Sequence, residues 1–226
     1  MARYGEFVDR VRKLCRESPG AQSALRAGLG KPVMEVPARV HAALLRPGLI
    51  REDPKGRGYA DKERAYYAVA ALIAARPRAQ RESEDDAHAE ATEHADATEP
   101  GMRGESPGEG TDAAGTTFPP RGISLGESFA LAVGRRSPDE LKSGAAESRL
   151  HLLVRQDLDG AHRMLPGVFR WLGSSGVTPD YACLLYDLSM WRYGRDAVAT
   201  RWLQSFYRSL RRQETAAERN PTVSST

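Results

Sequence analysis

Between Arg81 and Thr117 the sequence RESEDDAHAEATEHADATEPGMRGESPGEGTDAAGTT contains no Leu, Ile, Val, Phe, Tyr or Trp. Such a stretch cannot bury enough apolar area to offset the entropy of ordering its backbone, so it is expected to be a disordered linker. It divides the 226 residues into an N-terminal part (1–76), a linker (77–120), a C-terminal part (121–212) and a short disordered tail (213–226). The linker also separates charge. From Glu82 to Asp112 there are eleven acidic residues and one Arg, a net −10, whereas the whole chain carries +3. The remaining residues therefore carry +13, a surplus that suits a polyanionic partner. His88 and His94 sit among the linker's carboxylates and read as solvated side chains rather than metal ligands.

Both flanking parts show helical periodicity. Phe7, Val8, Val11, Leu14 and Cys15 fall on one face, and Ser18-Pro19 reads as an N-cap with a first-turn proline. A third helix spans Val36 to Leu45, and Asp61 is placed to cap a fourth that carries Tyr66, Val69, Ala70, Leu72 and Ile73. Beyond the linker, helices are expected from Ser124, from Ser137-Pro138-Asp139-Glu140, over Ala161 to Leu172, after Thr178-Pro179-Asp180, and over Asp196 to Arg212. No stretch alternates as a strand would. The expected class is all-α, two small helical bundles joined by a long disordered acidic linker. Cys15 and Cys183 lie within apolar helical patterns and read as small buried hydrophobes. The longest apolar run, Ala65 to Ala75, is far short of the ~20 residues a membrane helix needs. The N-terminus has no signal-peptide core, so a soluble, cytoplasmic protein without membrane contact is expected.

Gly122-Ile123-Ser124-Leu125-Gly126 spells G-x-S-x-G, the pattern of a hydrolase nucleophile elbow. Asp139, His151 and His162 follow in an order from which a triad could be written. An elbow needs a strand entering the turn, and Pro119-Pro120 stand where that strand would run. Ser124 to Glu127 is instead S-x-x-E, a capping box, with Ile123 placed to staple onto the first turns. No HExxH, paired CxxC or carboxylate cluster appears. The expectation is no enzyme, no catalytic residue, no cofactor and no metal.

The informative residues are the cations. Arg26 and Lys31 flank a glycine turn, Arg149 and Arg155 flank the face of Leu150, Leu153 and Val154, and Arg163 and Arg170 stand seven apart. Arg201, Arg208 and Arg212 recur at seven and four. Basic helical stripes without an aromatic platform suit phosphate contact rather than base reading. The candidate nucleic-acid-binding set is Arg26, Lys31, Arg149, Arg155, Arg163, Arg170 and Arg201. A rival reading is a helical protein-interaction scaffold whose basic faces pair with an acidic protein partner.

In order, AQSALRAGLGKP, VPARVHAALLRP, GISLGESFALAV, SRLHLLVRQDLDGAHRMLPGVFRWL, TPDYACLLYDLSMW and VATRWLQSFYR resemble CasB, the small subunit of the type I-E CRISPR surveillance complex, Cascade. GISLG followed by R-L-x-x-L-V-R is the most specific part, and the acidic linker has no counterpart in the resemblance. The resemblance implies a non-catalytic helical subunit in antiviral defence, of which two copies stack head to tail among the other Cascade subunits. It implies contact with crRNA and single-stranded target DNA through phosphates, helping to hold the crRNA-guided R-loop and its displaced non-target strand. Arg26, Arg149, Arg155 and Arg170 match basic positions of the family. Lys31, Arg163 and Arg201 come from the charge pattern alone.

Overall fold

A computed structural model describes residues 2–50, 58–77, 122–135 and 143–219. Every regular element among them is helical, so the all-α class holds. The acidic segment with His88 and His94, the helix start at Ser137 to Glu140, and residues 220–226 of the expected tail lie outside the described residues.

Helix α1 (Ala2–Glu17) buries Phe7, Val8, Val11 and Cys15. Helix α2 (Pro19–Arg26) starts as read: the Ser18 hydroxyl accepts from the Ala21 amide at 3.2 Å, and Pro19 fills the first turn. A 3-10 turn (Val33–Glu35) leads to α3 (Ala38–Leu45), which buries Val40 and Leu44. Helix α4 (Tyr59–Ala75) buries Ala65 to Tyr67 and Val69 to Ala74, almost its whole circumference. That explains why the longest apolar run belongs to it, since a helix apolar all round belongs inside. No helix among the described residues is long and apolar enough to cross a membrane. Asp61 is not the cap that its position suggested. The helix begins at Tyr59, and Asp61, in the first turn, faces Arg192 at 3.5 Å.

After the acidic segment come α5 (Leu125–Gly134), α6 (Ser143–Val154), α7 (Leu158–Ser174) and α8 (Tyr181–Arg219). The cap of α8 is Asp180 rather than Thr178, because its carboxylate accepts from two free amides, Ala182 and Cys183, both at 2.9 Å. Helix α8 unites the two last sequence patterns but breaks at Gly194 (φ −140, ψ 31). A straight helix would hold residues 187 and 202 about 22 Å apart. Yet Trp202 Nε1 donates to Asp187 Oδ2 at 2.5 Å, and the Trp191 and Trp202 rings meet at a tilt with centres 5.0 Å apart. The second segment therefore folds back along the first. Its far end runs to Arg219, past Arg212 where a tail was expected. Ala216 and Ala217 favour helix there, and the Thr215 hydroxyl donates to the Arg211 carbonyl at 3.0 Å.

Helices from both sides of the acidic segment pack on α8: α1 and α4 from before it, α5 from after it. Tyr4 meets Tyr186 edge-on at 6.1 Å, Phe7 meets Tyr66 at 4.7 Å, and the buried side chains form a continuous core. Cys15 and Cys183 are both buried, and neither is joined in a disulfide.

Ser124 caps α5, its oxygen accepting from the Glu127 amide at 3.2 Å. The reciprocal half of the capping box differs from expectation, because Glu127 is drawn to Arg212 at 2.9 Å. Ile123 stays 42% exposed, so the staple does not form. No strand among the described residues enters this turn, and the Ser124 hydroxyl bonds Ser205 rather than a base. His151 shares a hydrogen bond with the Tyr207 hydroxyl at 2.9 Å, His162 is buried elsewhere, and Asp139 lies outside the described residues. Ser124 is a helix cap.

Candidate nucleic-acid interface

Helix α7 is the platform of the candidate face. Asp157 caps it, accepting from the Gly160 amide at 2.7 Å, and Leu165, Val168, Phe169 and Leu172 anchor it in the core. The opposite side presents Arg163, Gly167 and Arg170, all exposed. At helical rise the two arginines stand about 10 Å apart on one face.

The glycine turn after α2 seats on this helix. Gly30 takes φ 72, a left-handed conformation that glycine adopts without strain, and a Cβ there would meet the Pro166 ring at 3.4 Å. Pro166 lies between Arg163 and Arg170, so the turn that leads from the exposed Arg26 to the exposed Lys31 meets α7 beside those two arginines. From the other side, the Arg149 guanidinium lies 5.3 Å from the centre of the Trp171 ring, next in sequence to Arg170. Trp171 is itself fixed against Phe129 at 5.0 Å. Such a cation–π contact orients a cation without neutralising it. Arg155 is exposed in the turn from α6 into α7.

Six of the seven expected cations thus lie on α7 or on the segments that touch it or lead into it, the end of α2 with its glycine turn and α6 with the turn that follows. Among the described residues no ion pair occupies Arg26, Lys31, Arg155 or Arg170. The nearby acids are engaged elsewhere. Asp157 is spent on its cap, and Arg64, by hydrogen bond and charge, holds Asp159 below the usual carboxylate range. Arg64 had no sequence signal, since its partner lies 95 residues away.

Arg201 departs from the expected set. It pairs with Asp187, which is 1% exposed, and lies over the Tyr186 ring at 5.9 Å. A buried carboxylate needs a cation more than solvent does, so Arg201 is drawn inward.

His162, beside Arg163, has no partner for its buried Nε2. Burial, with help from Arg64, holds its pKa down to about 3. Its ordinary value is 6.5, so the unfolded chain takes up the proton first as pH falls. Stability is therefore present above pH 6.5 and lost below it. His162→Leu should abolish this loss, gaining about 2 kcal/mol on the wild type between pH 7 and pH 5 in urea titrations. Asp187, raised to about 6 mainly by burial, acts in the opposite sense below pH 6. The difference between the two proteins cancels it.

This arrangement, a basic face assembled from several helices with the exposed Asp159 at its end paired to Arg64, also has a family context. Residues 21–207 match the family CRISPR-associated protein Cse2. The chain belongs to the Cse2 family. It is similar to a chain of a solved CRISPR RNA-guided surveillance complex at 30% identity, covering 95% of this chain and 97% of that one with a TM-score of 0.68. A pre-nicking form of such a complex holds a chain similar at 32% identity, with coverage of 95% and 97% and a TM-score of 0.65. The crystal structure of M. ruber CasB, at 23% identity, 95% and 98% coverage and a TM-score of 0.64, shares the fold. No curated protein matches the chain. The Cse2 match takes in the glycine turn, the GISLG cap and all of α7.

Proposed function

We propose that this Cse2-family chain is the non-catalytic small subunit of a type I-E Cascade complex, working in the cytoplasm beside other Cascade subunits and a second copy of itself. There it steadies the crRNA-guided R-loop by gripping the displaced non-target strand through its phosphates, while base pairing reads the sequence. The observation that supports this most is the convergence of Arg26, Lys31, Arg149, Arg155, Arg163 and Arg170 around α7. Solvated helix faces have no reason to pool cations from separate elements. A phosphodiester backbone does, because each neutralised phosphate releases condensed counterions. Arg201 supports the face from inside rather than touching the strand.

Binding of a fluorescent single-stranded oligonucleotide should therefore weaken steeply with salt. Changing Arg149, Arg155 and Arg170 together to Ala should make the log–log slope shallower by about 2, near 0.7 per lost single-strand phosphate contact. An unchanged slope would favour the scaffold reading, in which the cations meet an acidic protein.

A further inference from the structure

A second concentration of charge lies outside the α7 cluster. Beyond its fold-back, α8 lines a groove of about 1010 Å³ with Ser205, Arg208, Arg211, Arg212, Thr215 and Arg219. None of the six α7-centred cations borders it. Arg212 is committed to Glu127 at 2.9 Å. Arg208, Arg211 and Arg219 are exposed and have no ion pair among the described residues. The hydroxyls of Ser205 and Thr215 donate back to the helix, to the carbonyls of Trp202 and Arg211, both at 3.0 Å. The arginines are thus the groove's outward donors.

Helix stability does not account for them as a set. The helix dipole favours a cation only in the last turn, which covers Arg219 but not Arg208 or Arg211. Arg208 repels Arg211 and Arg212 at spacings of three and four. Glu214, three residues on, neighbours Arg211 and supplies a helix-stabilising reason for that arginine alone, while Glu214 and Glu218 both lie off the line through Arg208, Thr215 and Arg219. That line rises about 16 Å, long enough for several successive phosphates of one strand. The groove is also held in place, with α5 clamped on α8 through Glu127–Arg212 and through Gly126 against the Trp202 carbonyl.

We propose that Arg208, Arg211 and Arg219 form a second phosphate track, which contacts a single nucleic-acid strand independently of the α7 face. This rests on the reading of the chain as a nucleic-acid-binding subunit, and the test separates the two. Full-length protein carrying Arg208→Gln, Arg211→Gln and Arg219→Gln is titrated with labelled oligothymidylate across a salt series, beside the Arg149, Arg155 and Arg170 triple variant. All three glutamines replace exposed side chains in a good helix former's place, and circular dichroism confirms the helix. The track predicts affinity about tenfold weaker at 0.15 M salt and a slope shallower by about 2. A normal slope here with a reduced slope in the α7 variant would overturn the track alone. A groove that takes an acidic peptide gives that same result and overturns it equally. Normal slopes in both variants would overturn the α7 reading as well.

Discussion

Asp187→Ala is expected to lower unfolding stability by about 3 kcal/mol or more, the cost of orphaning a buried hydrogen-bond donor and opening a gap in the packed fold-back. Asp187 is 1% exposed and carries the clasp of the α8 fold-back: Arg201 pairs with one oxygen, and Trp202 Nε1 donates to the other at 2.5 Å. Removing it orphans an indole N–H on a fully buried Trp202 and leaves Arg201, 27% exposed, beside an apolar gap. For a chain of this size the loss amounts to a fall in Tm of roughly 10 °C or more. Asp187→Asn keeps an acceptor for the indole and should cost less, about 1–2 kcal/mol. Arg201→Ala should raise the Asp187 pKa further above about 6, because the guanidinium is the largest influence opposing burial. The Arg201→Ala loss should therefore shrink on going from pH 7 to pH 5, where the stranded carboxyl takes up a proton. Melting curves of the three variants at both pH values check this. A pH-independent Arg201→Ala penalty would remove the ion pair from the account.

Gly126→Ala is expected to cost about 3 kcal/mol or more, well above the ~1 kcal/mol typical of losing a cap through Ser124→Ala. A Cβ at Gly126 would fall within contact distance of the Trp202 carbonyl, which is backbone and cannot swing aside. Relief would require α5 to lift off α8, the most extensive helix pair in the fold. The same segment touches α8 at two further points. A Cβ on Gly122 would strike Asp180 and Cys183, and the Ser124 hydroxyl bonds that of Ser205. The G-x-S-x-G spacing thus serves helix–helix contact, with two small residues to permit approach and a serine to start the helix between them. Urea unfolding of the two variants ranks them. A Gly126→Ala loss no larger than that of Ser124→Ala would contradict the packing argument.

Much of the fold could be read from the chain, because helix faces and caps are local. Ser18-Pro19, Ser124 and the buried stripe of α7 follow from spacing alone. Asp61 and Thr178 were misplaced as caps, since several residues near each helix start can accept a free amide and only packing selects among them. The fold-back at Gly194 was hidden for a different reason. It is fixed by Asp187 meeting Arg201 and Trp202, a tertiary contact that periodicity cannot register. For the same reason Arg201 looked like one more cation on an outward stripe. The other six candidate cations stand out singly by charge. Their convergence depends on the Gly30 turn resting on Pro166 and on Arg149 lying over Trp171, neither of which leaves a mark in the local sequence. The unpaired arginines of the second groove had the opposite fate, because two of them, Arg211 and Arg219, fell off the spacing that drew attention to Arg208 and Arg212.

The α7 face is proposed to hold a displaced DNA strand. The most direct test is the lifetime of the R-loop in an assembled surveillance complex that carries either the wild-type chain or the Arg149, Arg155 and Arg170 triple-Ala variant. The variant should fold and assemble normally, since these side chains are exposed, and its R-loop should collapse about tenfold faster or more at 0.15 M salt, with the gap narrowing as salt screens the remaining contacts. Equal lifetimes in fully assembled complexes would contradict the account.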